Sequence, residues 1–156
     1  MNDSKVILTE QPADDEEFRK MFLPLIEYLK GVGCDKQGHS EDSRNLLHHL
    51  VSVSTLLSER GASDDLCKAG LFHSIYGTSY FKNKTVSLDE RDKIKELIGV
   101  WAETLVYEFC KLPKDRRSGI VKLEDGPLRN DLIDLAYANH DEQRIWKEKN
   151  DDKSTQ

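Results

Sequence analysis

Two histidines, His49 and His73, are the residues of this 156-residue chain best suited to chemistry. His49 falls at the edge of an apolar stripe with helical spacing and faces inward; the stripe is Leu46, Leu50, Val53 and Leu57. His73 lies one turn beyond Ala69 and Gly70, small residues that let another helix approach closely. Two imidazoles brought together from consecutive helices can supply nitrogen ligands to zinc, iron or manganese. The alternative is two core histidines whose rings bond to backbone carbonyls or hydroxyls.

Further candidate ligands lie outside these two helical segments. His39 precedes the first of them, and His140 and Asp141 lie in the last helical segment. For each of the three, the alternative is a solvated side chain. A site of His39, His49 and His73 would be chemically sensible, because three histidines can hold a catalytic metal with one open position.

A longer pattern runs through the same region. His49-Leu50-Val51 is followed by the Gly61-Ala62 turn and then by the string AGLFHS at residues 69–74. This pattern resembles the HD-domain metal-dependent phosphohydrolase superfamily, in which one helix presents a histidine and the next a His-Asp pair. Residues 98–106 are similar to the segment that follows this pair in the hydrolase half of bifunctional alarmone synthetase/hydrolases. The resemblance covers roughly residues 46–141. The longer string AGLFHSIYGT at residues 69–78 resembles most closely a group of small HD-like domains without an assigned function.

The chain departs from the superfamily pattern at its carboxylates. Ser74 stands where the superfamily has the aspartate of the His-Asp pair, and Tyr137 or Asn139 stands near its later aspartate. Fewer carboxylates leave less negative charge to hold a divalent ion, which weakens the case for standard hydrolysis. The carboxylates that could substitute are Asp134, Asp141 and Glu142. The candidates for orienting a substrate are Tyr76, Tyr80, Tyr137 and Asn139, although tyrosines at such positions are often packing residues.

Three functions follow from these residues and from the resemblance. The first is a metal-dependent enzyme of HD type, a hydrolase or an oxygenase, that uses iron, manganese or zinc on a small phosphorylated or oxidisable molecule. The second is a degenerate HD-like module that binds a small molecule or regulates without catalysis. The third is a helical adapter whose histidines only fill the core. Fold alone does not decide among the three.

The elements that must position these residues are helices. We predict an all-α, HD-domain-like bundle of about five or six helices over residues 14–147, with flexible tails at 1–13 and 148–156. The second helix is predicted to begin at Glu41 after a Ser40 cap, and Pro24 should bend or divide the first. Residues 112–127 could form either a short ribbon or a loop.

Composition narrows the classes of partner. The net charge is −6 and the basic residues are scattered, which argues against a nucleic-acid partner. The short basic cluster at residues 111–117 is interpreted as a solvated loop. With no long apolar run or signal peptide, we expect no membrane span and a cytoplasmic location. The three cysteines lack metal-knuckle spacing. A small-molecule ligand or substrate is therefore the expected partner, and the oligomeric state stays open.

Overall fold

The computed structural model describes residues 15–39, 42–78 and 85–154 of the chain. That part is almost entirely helical, which confirms the predicted all-α bundle. It contains seven α-helices, against the five or six predicted: α1 (Asp15–Gly31), α2 (Leu46–Glu59), α3 (Asp64–Phe72), α4 (Arg91–Ile98), α5 (Val100–Lys111), α6 (Arg116–Val121) and α7 (Pro127–Ser154). A 3-10 turn, Leu88–Glu90, leads into α4.

The entry to α2 differs from the prediction. Helix α2 begins at Leu46 rather than Glu41, because the chain first forms an antiparallel ribbon of β1 (Gly38–His39) and β2 (Asp42–Asn45). Asn45 caps the helix, and its side chain accepts a hydrogen bond from the His48 amide at 2.8 Å. Asparagine is as good an N-cap residue as serine, so Asn45 is itself a sequence indication of where the helix starts. The predicted cap, Ser40, lies outside the described residues.

The segment predicted as ribbon or loop contains the additional helix, α6. Asp115 caps it by accepting a hydrogen bond from the Ser118 amide at 3.3 Å. Ile120 is buried and anchors the helix to the core. Gly119 permits close packing on Pro113, because a Cβ there would lie 2.7 Å from the proline Cδ. Both the ribbon and the loop were therefore wrong for residues 116–121.

Two other helices are more continuous than predicted. Pro24 lies inside α1 without dividing it. Helix α7 continues to Ser154, through most of the stretch predicted as a C-terminal tail. None of the helices in the described part of the chain has the length and apolar character needed to cross a membrane.

Helix α2 lies at the centre of the bundle and packs on α3 and α7, while α3 also packs on α5. Gly70 of α3 is the point of closest approach, since a Cβ there would lie 2.6 Å from Leu57 Cδ1. This close packing brings the inward face of α2 against α3 and α7 together. His49 lies on that face, and His73 follows the last residue of α3.

Candidate functional site

The rings of His49 and His73 meet in the core of the bundle. Their centroids are 5.1 Å apart in an edge-on arrangement, and the residues are only 1% and 2% exposed. His73 Nδ1 donates to the carbonyl oxygen of Gly70 at 2.8 Å, because a carbonyl can only accept. That bond fixes the ring edge-on to His49 on one side and to Phe109 on the other.

Both ring nitrogens of His49 face oxygen acceptors on α7. Nδ1 lies 2.6 Å from Glu142 Oε1, and Nε2 lies 2.9 Å from Asn139 Oδ1. Gln143 donates to the same Asn139 oxygen at 3.2 Å, which keeps that oxygen turned toward the histidine. Both ring nitrogens therefore point at side chains of α7, and neither points at an open position where a metal could bind.

Arg44 completes this group from the end of β2. Its two terminal nitrogens both donate to the Glu142 carboxylate, one of them to Oε1 at 2.9 Å. The side chains are 3% and 8% exposed, so the ion pair is buried. The guanidinium also stacks on the Trp146 ring, with 4.5 Å between its carbon and the ring centroid. Bidentate pairing of this kind fixes geometry as well as charge.

The carboxyl group of Glu142 is held ionised by these neighbours. Burial alone would raise its pKa, but the hydrogen bonds and positive charges of His49 and Arg44 lower the pKa of Glu142 to about 2. His49, Arg44, Asn139 and Glu142 thus form one buried hydrogen-bonded cluster that includes the Arg44–Glu142 ion pair.

A divalent metal does not fit this arrangement. Within residues 15–39, 42–78 and 85–154, no three His, Cys, Asp or Glu side chains are placed to hold a metal ion. Both nitrogens of His49 are already hydrogen-bonded, and Arg44 places a positive charge on the Glu142 carboxylate. Ser74 adds no carboxylate; its hydroxyl is buried and has no hydrogen-bond partner among the described residues.

Among the remaining predicted site residues, Asn139 and Glu142 hydrogen-bond to His49, whereas Tyr137, His140 and Asp141 lie at or near the surface of α7. His39 is in β1, and its side chain is outside the described part, as is Tyr80. On α7, Tyr137 is 64% exposed, and His140 is also at the surface. Asp141 pairs with Arg60, with 2.8 Å between Oδ2 and Nη2.

Tyr76 belongs to a second buried group. Its hydroxyl donates to Glu103 Oε2 at 2.8 Å, and Arg91 pairs with both oxygens of that carboxylate at 2.7 and 2.9 Å. Burial would raise the pKa of Glu103, but the bonds from Arg91 and Tyr76 lower it. Burial and the bond to Glu103 raise the pKa of Tyr76, so its hydroxyl remains a donor. Tyr76 is therefore a packing residue with a bonded hydroxyl.

Replacing Tyr76 with phenylalanine should lower the free energy of unfolding by about 1–2 kcal/mol, because a buried carboxylate loses one donor. Urea unfolding measures the loss. Tyr137→Phe is the matched control, and because Tyr137 is exposed its change should stay within about 0.5 kcal/mol. Equal losses in both variants would contradict the assignment.

The sequence analysis missed Arg44 and left Glu142 as one of three carboxylates that could substitute. Glu142 lies at i+3 from Asn139, so helical phase places both on one face of α7. That spacing could have identified Glu142, rather than Asp141, as the carboxylate near the site. Arg44 lies in the ribbon before α2, where no helical period indicates whether its side chain faces the core.

Two clefts flank Tyr137 on the surface of α7. One, of about 340 Å³, lies between the middle of α7 and the C-terminal end of α2 with the turn that follows it, and it includes the Arg60–Asp141 pair. The other, of about 570 Å³, lies between α6 and α7. Tyr137 lines both, so it forms the ridge between them.

Comparison with known proteins gives one family. A family model described as Domain of unknown function (DUF6817) matches residues 28–114. This range includes Arg44, His49 and His73, and it ends before α7. No curated protein and no solved structure matches the chain significantly.

Proposed function

Because the chain belongs to the family described as Domain of unknown function (DUF6817), which carries no activity with it, we propose a function from the geometry of the chain itself. The protein is an HD-like module that binds a small molecule or regulates, and it does not catalyse at its histidine pair. In this proposal the HD resemblance describes ancestry, and the metal centre of the superfamily has become a buried hydrogen-bonded ion cluster.

The observation that supports this proposal best is that both nitrogens of His49 are already bonded, to Glu142 and Asn139. A resident metal needs neutral imidazole and nearby negative charge. Here the carboxylate that could supply the charge is neutralised by Arg44, and the position near the superfamily's later aspartate holds the neutral amide of Asn139. The cluster therefore stabilises the packing of α7 on α2 where a metal would hold the two together.

A metal-dependent enzyme is the second candidate. It is favoured by the contact of the two buried histidine rings and by the buried hydroxyl of Ser74, the residue after His73, which lacks a hydrogen-bond partner among the described residues. This function requires Asn139 and Glu142 to release His49 when metal binds. The two candidates differ in metal content and in whether metal displaces the hydrogen bonds of His49.

Elemental analysis of protein purified without a histidine tag should find substoichiometric iron, manganese and zinc. Each ion added anaerobically should leave the unfolding temperature unchanged, since a ligand that binds only the folded state would raise it. Added metal should leave the nitrogen-15 signals of the His49 ring unchanged, because both ring nitrogens are already hydrogen-bonded. Stoichiometric metal that is lost in both His49→Ala and His73→Ala would establish the enzyme instead.

A further inference from the structure

The cleft between α6 and α7 carries a charge opposite to that of the whole chain. The net charge of the protein is −6, yet this cleft is lined by Lys114, Arg116 and Arg117, with His140 opposite them on α7. Among the described residues, none of those lining it is acidic. Arg116 stacks on the Phe109 ring at 4.5 Å, which holds its guanidinium at the cleft. The cleft is thus a local positive site on an acidic protein.

The other side of the same cleft is apolar. It is formed by Ile120, Val121, Ile133 and Ala136, beside the ring of Tyr137. Val121 is half-exposed and Tyr137 more so, which makes them two of the larger hydrophobic side chains left on the surface. The volume of about 570 Å³ lies within the roughly 300–1,000 Å³ typical of small-molecule sites.

We propose that this cleft binds a small amphiphilic anion, with its phosphate or carboxylate on Lys114, Arg116 and Arg117 and its hydrocarbon chain along Val121, Ile133 and Ala136. The assignment rests on the proposed binding function and names its ligand class. Arginine pairs with planar or phosphate oxyanions through two donors, so two arginines at one end suit an anionic headgroup. The apolar floor supplies the remaining affinity by burying hydrocarbon.

The shape of the site favours a free molecule over a membrane surface or a nucleic acid. The cations and the apolar residues lie around one concave space, so headgroup and chain of a single molecule can contact both at once. The surrounding negative charge of the protein opposes approach to a long polyanion or to an anionic bilayer. A small anion meets only the local positive field, because screening limits longer-range effects to about 8 Å at physiological salt.

The test uses the full chain and decyl phosphate below its micelle concentration, followed by calorimetry and by amide chemical shifts. Decyl phosphate should bind with shifts centred on residues 114–121 and 133–140, and its affinity should fall as salt rises. Decanol and decyltrimethylammonium should bind at least about tenfold more weakly. Arg117→Glu and Val121→Asp should each weaken decyl phosphate binding by about tenfold or more, because both residues are exposed and line the cleft. Lys20→Glu makes the same charge reversal on exposed α1 and should change affinity less than about twofold.

Three results would overturn the assignment. They are equal binding of decanol and decyl phosphate, equal losses in Arg117→Glu and Lys20→Glu, and tighter binding to anionic phospholipid vesicles than to monomeric decyl phosphate. The unfolding curve of each variant must match that of the wild type. If Arg117→Glu is destabilised, Arg117→Ala replaces it in the binding measurement. Metal found at His49 would contradict the proposed non-catalytic function but would leave the binding of decyl phosphate in the cleft unaffected. Failure of one proposal can therefore be told from failure of the other.

Discussion

Replacing Glu142 with glutamine will lower the free energy of unfolding by about 3–5 kcal/mol. The substitution keeps the shape of the side chain and an oxygen that can accept from His49, but it removes the negative charge. Arg44 then remains buried beside His49 without the negative charge of Glu142, and its side chain is only 3% exposed. An uncompensated buried charge is far more costly than a lost surface pair. Urea unfolding at neutral pH, compared with the wild type, measures the loss.

Asp141→Asn is the matched control, one residue earlier on the same helix. Asp141 also pairs with an arginine, but the side chains are 23% and 42% exposed, so its loss should cost at most about 1 kcal/mol. A double variant, Arg44→Met with Glu142→Gln, should recover most of the stability because it removes the buried guanidinium charge along with the carboxylate. Equal losses for Glu142→Gln and Asp141→Asn would show that the cluster is not the buried ion pair described.

Much of the helical framework could be predicted from local signals. Ser63 caps α3, accepting from the Leu66 amide at 3.1 Å, and Gly99 separates α4 from α5 with a φ of 93°, a conformation that favours glycine. The apolar period of α2 also placed His49 inward and His48 outward, as observed. These features were predictable because each depends on a few adjacent residues.

The parts that could not be predicted depend on contacts distant in sequence. Helix α6 is short, and its sequence, with two arginines and a glycine, has weak helical preference. The burial of Ile120 and the packing of Gly119 on Pro113 stabilise it, and neither is visible in a local pattern. The ribbon of β1 and β2 likewise has no alternation of apolar and polar residues to indicate strands.

The contact between His49 and His73 was predictable from helical phase, and the two rings do meet. The hydrogen-bond partners of His49, Glu142 and Asn139, lie about ninety residues away along the chain, so a local pattern could not select them. Arg44 in particular changes the chemistry of the pocket, because it pairs with the Glu142 carboxylate that contacts the histidine. The spacing of histidines can suggest metal ligands, but it gives no indication that an arginine lies beside them.

The cluster also predicts how stability depends on acid. In the folded protein the pKa of Glu142 is lowered to about 2 from the ordinary value of 4.5. A carboxyl group with a lowered folded pKa contributes stability that is full above pH 4.5 and is lost as pH falls toward 2. The difference of about 2.5 units corresponds to about 3 kcal/mol. The measurement is the free energy of unfolding from urea curves at pH 2 to 7.

Glu103 also has a lowered pKa, so it makes the stability of the wild type and of the double variant Arg44→Met with Glu142→Gln depend on acid. Because the Glu103 contribution is the same in both proteins, the difference between their curves isolates the contribution of Glu142. Between pH 4.5 and 2 the double variant should lose about 3 kcal/mol less than the wild type. Asp141→Asn, whose partly exposed pair is screened by solvent, should follow the wild-type curve closely. Parallel curves for the wild type and the double variant would mean that Glu142 titrates normally and that its neighbours Arg44 and His49 do not hold it ionised.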